Sequence, residues 1–513
     1  MRARITLASC ITAATAAAAT ATGPAVVGPA TVSRSPVHAT STVQVTVRPD
    51  AIRLPGAPTS GPAATADCEK AEGIACFDPG QLRAAYRLPS LYAKGITGKG
   101  VTIMIVDSFG SPTIKADLAA FDQQFGYPAP PKFTVIAPVG KIPAFKPDDS
   151  DMAGWAEETT LDVEYAHALA PGANILLVET PVSETEGVTG FPQIVQAEEY
   201  ALAHYNVGVI SQSFSATEET FRDYAQLAPL RAAYEKADSR QVTVLAASGD
   251  AGATDYQADE VNFYPSRVTS WPDSDPLVTA VGGTQLRPDG AGFTSVAWND
   301  TYNRAWTLYA EGSTDPAPAA SGGGTSEFFG RPSYQNGVKV VTGAQRGVPD
   351  IAMSAACDGA VSVYSSYQPG EAGWSLSCGT SEATPEFAAI VALADQVAGH
   401  PLGLINPALY NLAAQHSPGI VDVTSGDNTV TFDQTTSAQN AGTRNTGTQN
   451  TGPTPVTVKG YSADKGYDLV TGLGTVNAQQ LVYELAASSP TQTSGPTQAT
   501  SAAQTSSPAQ ADP

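Results

Sequence analysis

The sequence is short of basic residues and of long apolar runs. Lysine and arginine together number 27 against 49 aspartates and glutamates, which gives a net charge of -22. Such a surface repels polyanions, and this excludes general affinity for nucleic acid or anionic lipid. After the N-terminal stretch, no segment has the ~20 uninterrupted apolar residues that a membrane-spanning helix needs. The composition therefore predicts a protein with neither a nucleic-acid partner nor a membrane span.

Cysteine is also scarce, with five in the chain. Apart from Cys10, the cysteines fall into two close pairs, Cys68 with Cys76 and Cys357 with Cys378. Four cysteines allow three pairings, and proximity favours two local disulfides of the kind found in exported proteins. A zinc site is the alternative, but the sequence has no Cys-x-x-Cys spacing.

Composition divides the chain into segments. Two arginines followed by an Ala/Thr-rich stretch predict a secretory signal peptide over 1–30, and hence a secreted, extracellular protein. The remaining segments are a Pro/Thr/Ser-rich linker or short pro-segment (31–66), a folded domain (67–487) with a low-complexity insertion (431–457), and a disordered Ser/Thr/Gln/Pro tail (488–513). The folded domain is long enough for a large core.

Apolar β-branched runs alternate with helix-like stretches through the first half of that domain. The predicted order is strand 101–107, helix 114–125, strand 174–179, helix 192–204, strand 207–211, helix 220–237, strand 242–247 and strand 277–281. This alternation predicts an α/β fold with a mostly parallel central sheet and helices on both faces. Functional groups of such sheets lie beyond the carboxyl ends of the strands. Asp107, Ser213 and Asp250 each follow a strand and should converge there.

A Gly-Thr-Ser turn that ends in Ser381 runs directly into an Ala-rich apolar stretch. Ser381 should therefore lie at the N-terminus of a buried helix, where free N–H groups can stabilise an oxyanion. This position suits a nucleophilic serine. The alternative is a simple turn that caps a helix, since the same Gly-Thr-Ser-Glu sequence recurs at 324–327 ahead of a segment that cannot continue as a long helix.

Three carboxylates complete the candidate site. Glu158 and Asp162 are four residues apart in a predicted helix, so they share one face and can hold a single proton between them. Such a pair is a general base that works where imidazole is already protonated. Asp250 lies in a Gly-flanked turn after a strand and, if protonated, could donate a hydrogen bond to an oxyanion. The alternatives are a solvated acidic face for the pair and an ordinary turn residue for Asp250.

Together these motifs resemble the sedolisins, the serine-carboxyl peptidases with a subtilisin-like fold. The matching sequences are Glu158-x-x-x-Asp162, Ser248-Gly249-Asp250, Gly379-Thr380-Ser381 with Pro385, Ser321-Gly322-Gly323-Gly324, Val348-Pro349-Asp350, Val278-Thr279-Ala280-Val281-Gly282-Gly283-Thr284, and Gly466-Tyr467-Asp468-Leu469-Val470-Thr471-Gly472-Leu473-Gly474. Their order and rough spacing match from about Phe77 to Ala487. Family members normally carry a folded prodomain, where this chain has only the short Pro-rich stretch.

The resemblance implies a calcium-binding, monomeric endopeptidase that cleaves proteins or peptides at acid pH. Ser381 would attack the scissile carbonyl, Glu158 would take its proton, Asp162 would orient Glu158, and Asp250 would complete the oxyanion hole. The substrate would lie against backbone at Ser213, Ser215, Ser321, Gly322 and Gly323, although the family's usual glycine is replaced by Ser215. One Ca²⁺ would be held by the carboxylates of Asp422 and Asp468 and the carbonyl oxygens of Val423, Asp464 and Gly466.

Two other functions are compatible with parts of this pattern. A Ser/His/Asp peptidase of the subtilisin type could use Asp107 and a histidine, but none of the five histidines lies in a His-Gly-Thr turn. His167 is better interpreted as a packed helix residue beside the acidic pair. A secreted binding protein with an inactive peptidase fold is the other alternative, which loss of Ser381 would leave functional.

Overall fold

The computed structural model describes residues 52–53, 59–71, 73–183, 186–290, 292–303, 318–434 and 454–488. The predicted signal peptide, most of the linker, the centre of the insertion and the tail after Ser488 lie outside the described residues. No helix in the described ranges combines the length and apolar character needed to cross a membrane.

The strands, in chain order, are β1 (Ile52–Arg53), β2 (Cys76–Phe77), β3 (Thr102–Ser108), β4 (Phe133–Ile136), β5 (Asn174–Thr180), β6 (Val209–Gln212), β7 (Ala216–Thr217), β8 (Thr243–Ala247), β9 (Ser270–Trp271), β10 (Thr279–Asp289), β11 (Gly292–Ala297), β12 (Gly324–Gly330), β13 (Gln345–Val348), β14 (Ile351–Ser354), β15 (Ala360–Ser365), β16 (Gly373–Cys378), β17 (Ile420–Val421), β18 (Val430–Gln434), β19 (Thr454–Val458) and β20 (Thr475–Val476).

The α-helices are α1 (Thr65–Ala71), α2 (Pro79–Ala85), α3 (Pro89–Tyr92), α4 (Ile114–Phe125), α5 (Ser150–Leu169), α6 (Phe191–His204), α7 (Tyr224–Leu227), α8 (Ala232–Ser239), α9 (Lys339–Thr342), α10 (Thr380–Ala398), α11 (Asn406–Ala414) and α12 (Ala478–Ser488). Short 3₁₀ helices cover Glu218–Thr220, Ala228–Arg231 and Ser333–Val338.

The central sheet has the strand order β11-β10-β8-β6-β3-β5-β4, with β14 also paired to β10. All of these pairs are parallel except β10 with β11, which form an antiparallel hairpin. The predicted fold class is confirmed. The strand predicted over 277–281 is in fact longer, because β10 continues past the parallel sheet into this hairpin.

Alternate residues of β3 face opposite sides of the sheet, as the two-residue period of a strand requires. Ile103 and Ile105 pack in the core cluster that contains α5 and α10, whereas Met104 and Val106 pack in the cluster formed with α6 and α8. Because both faces are covered, β3 is buried and its sequence is continuously apolar.

The helix predicted over 220–237 is wrong as a single element. The chain there forms α7, a 3₁₀ turn over Ala228–Arg231 and then α8. Pro229 explains the break, because it has no N–H to donate and its ring clashes with the preceding turn of a helix. The helix predicted over 114–125 agrees with α4 at both ends.

A second sheet, β1-β16-β15-β2, lies beside the central one and carries both disulfides. Cys68 pairs with Cys76 and Cys357 with Cys378, with Cα separations of 5.9 and 5.0 Å, so the predicted pairing is confirmed. Strand β1 pairs with β16, which shows that part of the predicted linker belongs to the fold. The predicted insertion likewise begins and ends within a paired hairpin, β18 with β19.

Candidate active site

Ser381 is the second residue of α10 and is fully buried. The helix begins after Gly379, whose φ of 121° is a conformation that favours glycine. The N–H of Gly379 donates to the carbonyl of Ala355 at 2.8 Å, and the preceding Cys378 is bonded to Cys357. Two links therefore fix this turn. The Ser381 hydroxyl has no hydrogen-bond partner within the described ranges, as expected for a side chain that awaits a reacting group.

Glu158 and Asp162 lie one turn apart on α5, which packs along α10. Both side chains are fully buried. Burial raises the pKa of Asp162 well above its usual range, and the charge of Asp107 raises it further. Hydrogen bonds from Ser213 Oγ, at 2.9 Å from Oδ1, and with Glu158 act in the opposite direction. The two carboxyls thus interact directly in a dry environment, where they can share a proton.

Asp250 lies in the turn that follows β8, where its backbone carbonyl accepts from Ala320 N–H at 2.8 Å. Its carboxylate Oδ1 accepts from the N–H of Thr380 at 2.7 Å and from the Thr380 hydroxyl at 2.8 Å. Burial raises the pKa of Asp250 well above its usual range and the nearby charge of Asp255 adds to this, although the Thr380 bonds oppose it. Asp250 is therefore a carboxyl that tends to keep its proton beside the nucleophile turn.

Asp107 is a further buried carboxyl at this end of the sheet. It lies opposite Glu179 in the β3–β5 pairing, so both side chains emerge on the face that α5 covers. Burial raises the pKa of Asp107 to about 7. Asp107 and Ser213 both act on Asp162, and Asp250 contacts Thr380, the residue before Ser381. The predicted convergence of Asp107, Ser213 and Asp250 on one site stays a prediction.

Comparisons with known proteins identify the family. The model for the subtilase family of peptidases matches residues 149–408, just over half of the chain. The chain belongs to the subtilase family.

Its curated relatives place it in the sedolisin branch of that family. Kumamolisin from Bacillus sp. (strain MN-32) is 29% identical over 420 residues, covering 80% of this chain and 64% of kumamolisin. Human tripeptidyl-peptidase 1 is 29% identical over 345 residues, covering 64% of this chain and 51% of that protein. The chain thus spans about half to two thirds of the length of these relatives.

A solved structure gives the same fold. Pseudomonas sedolisin, a serine-carboxyl proteinase complexed with two molecules of pseudo-iodotyrostatin, aligns with a TM-score of 0.62 and 22% identity, covering 81% of this chain and 99% of that chain. The sedolisin resemblance of the sequence motifs is therefore confirmed at the level of family and fold.

The two segments predicted to bind substrate differ from each other in the contacts that they make. Ser213 and Ser215 follow β6, and the Ser213 hydroxyl donates a hydrogen bond to Asp162. At Ser321–Gly323, Gly322 N–H donates to Gly249 O at 2.7 Å, and Gly322 O accepts from Ser248 Oγ at 2.9 Å. This segment supports the turn that carries Asp250. Its role in substrate binding stays a prediction.

The predicted calcium ligands lie in two loops, one after β17 and one before β20, which contact each other through Asp422 and Gly466. Both carboxylate oxygens of Asp422 accept from Gly466 N–H, at 3.2 and 3.0 Å, and Asp468 Oδ2 accepts from Asp464 N–H at 3.2 Å. No group of three His, Cys, Asp or Glu side chains that could hold a metal occurs among the described residues. The remaining ligands would have to be carbonyl oxygens, and two carboxylates with carbonyls form a donor set that suits Ca²⁺.

Three of the described histidines make contacts with groups other than the candidate catalytic residues. His167 is buried on α5, where its Nε2 lies 3.1 Å from Asp122 Oδ1 and 2.9 Å from Pro128 O. His204 stacks on Tyr200 and bonds to its carbonyl, and His400 bonds to a neighbouring carbonyl. None of the hydrogen bonds found in the described ranges links a histidine to Ser381. This disfavours the Ser/His/Asp alternative.

Sequence reasoning missed the part played by Thr380. As the middle residue of Gly-Thr-Ser it was visible only as part of a motif, whereas the structure shows that both its N–H and its hydroxyl hold Asp250. One signal in the sequence could have indicated this role of Thr380. A hydroxyl residue stands at the first position of a helix, and an aspartate without a local partner stands in a distant turn.

Proposed function

We propose that the protein is a secreted serine-carboxyl endopeptidase that hydrolyses peptide bonds in proteins at acid pH. The observation that carries this proposal is the pair of hydrogen bonds from Thr380 to Asp250, because they hold a proton-retaining carboxyl one residue from a buried, unbonded serine hydroxyl. The sedolisin-type family supports the same activity.

In the acylation step, Ser381 Oγ attacks the scissile carbonyl carbon while Glu158 takes the hydroxyl proton. The carbonyl oxygen becomes an oxyanion and receives a hydrogen bond from protonated Asp250. When the tetrahedral intermediate collapses, the C–N bond breaks and Glu158 returns the proton to the leaving amine. Water then attacks the acyl-enzyme by the same route, with Glu158 as base, which releases the acid product and restores Ser381.

Acid pH suits this site because of burial. Asp162 and Asp250 both have pKa values raised by burial, so each tends to keep a proton at pH values where an exposed aspartate has lost it. The Glu158–Asp162 pair supplies one carboxylate as a base as long as it has lost one of its two protons. Asp250 donates to the oxyanion only while it is protonated.

One Ca²⁺ would serve a structural role in this proposal. Asp422 and Asp468 would ligate it together with the carbonyl oxygens of Val423, Asp464 and Gly466. Bound calcium would cross-link the loop after β17 to the loop before β20, and it would take no part in bond cleavage. We further propose that the enzyme acts as a monomer on extended peptide segments that lie along Ser213–Ser215.

A pH series of proteolysis on a denatured protein substrate tests the function. The wild-type protein should cleave it faster as pH falls below neutral, and Ser381→Ala should abolish cleavage. Glu158→Gln should lower kcat by several orders of magnitude, because amide nitrogen cannot accept the serine proton. Full cleavage by Ser381→Ala would refute the proposal, because the hydrolysis would then come from another residue or from a contaminating enzyme.

A further inference from the structure

A second pair of carboxyls lies on the helix that carries the nucleophile. Glu382 and Glu386 follow Ser381 by one and five residues and are one helical turn apart, so they share a face of α10. Both side chains are 0% exposed. Within the described part of the chain, none of their four carboxyl oxygens meets a hydrogen-bond partner at normal geometry. The proposed catalytic steps use neither residue.

The groups that face this pair are neutral or acidic. Tyr86, which caps α2, accepts from Ser354 N–H at 2.7 Å and interacts with both glutamates, and Tyr165 reaches them from α5. Asp250 faces Glu382 from the turn after β8. No lysine, arginine or histidine is among the groups that influence either glutamate in the described structure. An ion pair therefore cannot stabilise this pair in its charged form.

Burial without a counter-charge determines the protonation of the pair. It raises the pKa of Glu382 well above its usual range, although the Ser354 side chain opposes this by hydrogen bonding and Asp250 adds to it, and it does the same for Glu386, with a contribution from Glu382. While both carboxyls keep their protons, the buried pair carries no charge. When both protons are lost, two negative charges lie buried and unshielded one turn from Ser381, close to a third at Asp250.

We propose that Glu382 and Glu386 are positioning residues whose neutral, protonated state keeps the first turn of α10 in place, and that their deprotonation displaces Ser381 and inactivates the enzyme as pH rises. The turn at risk is the one whose Thr380 N–H donates to Asp250. Repulsion within the pair thus acts directly on the alignment of nucleophile and oxyanion donor. This inference rests on the proposed peptidase function and extends it to the origin of its upper pH limit.

The decisive variants are Glu386→Gln and the double variant Glu382→Gln/Glu386→Gln. An amide has nearly the shape of a carboxyl and stays neutral, so it removes the repulsion without opening a cavity. We expect the alkaline limb of kcat/KM to move to higher pH by about one unit or more. Asp395→Asn is the matched control, because Asp395 is a buried acid at the far end of the same helix and should leave the limb in place.

A second measurement separates this inference from the catalytic proposal. In a Ser381→Ala background, hydrogen exchange of the amides over 380–386 should accelerate as pH is raised, beyond the intrinsic pH dependence of exchange, and the double Gln variant should suppress this. Absence of peptidase activity in the wild-type protein would overturn the proposed function but leave the exchange experiment valid.

Two outcomes would overturn the inference. One is an alkaline limb that stays in place in both Gln variants. The other is a uniform loss of activity at every pH, since a purely structural role would lower activity without moving the profile. If the double variant does not fold, Glu386→Gln alone tests the same direction of shift.

Discussion

Thr380 binds the carboxylate of Asp250 twice, with its backbone N–H at 2.7 Å and its hydroxyl at 2.8 Å, and both bonds end on Oδ1. Oδ2 has no partner within the described ranges. Since Ser381 is the next residue, the turn that presents the proposed nucleophile also orients Asp250. It leaves Oδ2 as the atom that can carry the proton toward an oxyanion.

Replacement of Asp250 tests this orientation. Asp250→Ala should lower kcat by about 10²–10³-fold, because one oxyanion donor is lost. Asp250→Asn should lose much less, since its amide oxygen can still accept from Thr380 and its NH₂ can donate to the oxyanion at every pH. The measurement is kcat/KM for both variants across the acid range, and equal losses would contradict the assigned role. Any alkaline limb that remains in Asp250→Asn belongs to the Glu382 and Glu386 pair.

Ser213→Ala tests the coupling of Asp162 to the base. The Ser213 hydroxyl lowers the pKa of Asp162, so its removal should raise that pKa. The acid limb of kcat/KM requires one ionised carboxylate in the Glu158–Asp162 pair, and it should therefore move to higher pH by about one unit. Ser211→Ala is the control, because this buried hydroxyl has no hydrogen-bond partner in the described structure, Asp162 included. If Ser213→Ala leaves the pH profile unshifted, the protonation of Asp162 is not coupled to that of the general base.

The sequence predicted an element of the fold correctly where a local residue pattern determines that element. The centres of the buried parallel strands β3, β5 and β8 are apolar, and α4 ends at Gly126 in a left-handed conformation, so local patterns located them within about two residues. The predicted helix over 220–237 failed because Pro229 overrides a favourable composition around it. The hairpin of β10 and β11 could not be predicted from short-range patterns, since the first half of β10 pairs with distant strands.

The candidate site was predictable in its reacting residues but not in its supporting contacts. Glu158 and Asp162 are linked by helical spacing, which a sequence reveals directly. Thr380 and Asp250 lie 130 residues apart, and their contact depends on the way β8 and α10 meet in three dimensions. The Glu382 and Glu386 pair was present in the sequence as an acidic pattern within an apolar helix, but only burial shows that it has no counter-charge.

Calcium should stabilise the fold through Asp422. Added Ca²⁺ should raise the melting temperature of the wild-type protein, and a chelator should lower it, because an ion that binds only the folded state stabilises it by mass action. Asp422→Asn removes one of two carboxylate ligands and should weaken this response strongly. Asp433→Asn, an exposed change on β18, should respond like the wild-type protein. If calcium raises the melting temperature of Asp422→Asn as much as that of the wild-type protein, the ion binds at another site.

The stability of the protein should decline as pH rises from acid to neutral. Burial raises the pKa of Glu198 from its usual 4.5 to about 8, although Gln212 Nε2 donates to its Oε1 at 2.6 Å. Burial likewise raises the pKa of Glu179 to about 7. For an acid whose pKa is higher in the folded state, the stabilisation is complete below the unfolded pKa and is lost as pH rises through the folded one. Each pH unit across that window removes up to about 1.4 kcal/mol of unfolding free energy per group.

Glu198→Gln isolates one such group, because the amide stays neutral while the side chain keeps its shape. Its unfolding free energy, measured by urea titration at several pH values, should fall less steeply between about pH 5 and pH 8 than that of the wild-type protein. Glu371→Gln changes an exposed carboxylate and should leave the slope unaltered. A wild-type slope equal to that of Glu198→Gln would mean that Glu198 is ionised inside the fold at neutral pH, in which case its bond from Gln212 outweighs the cost of burial.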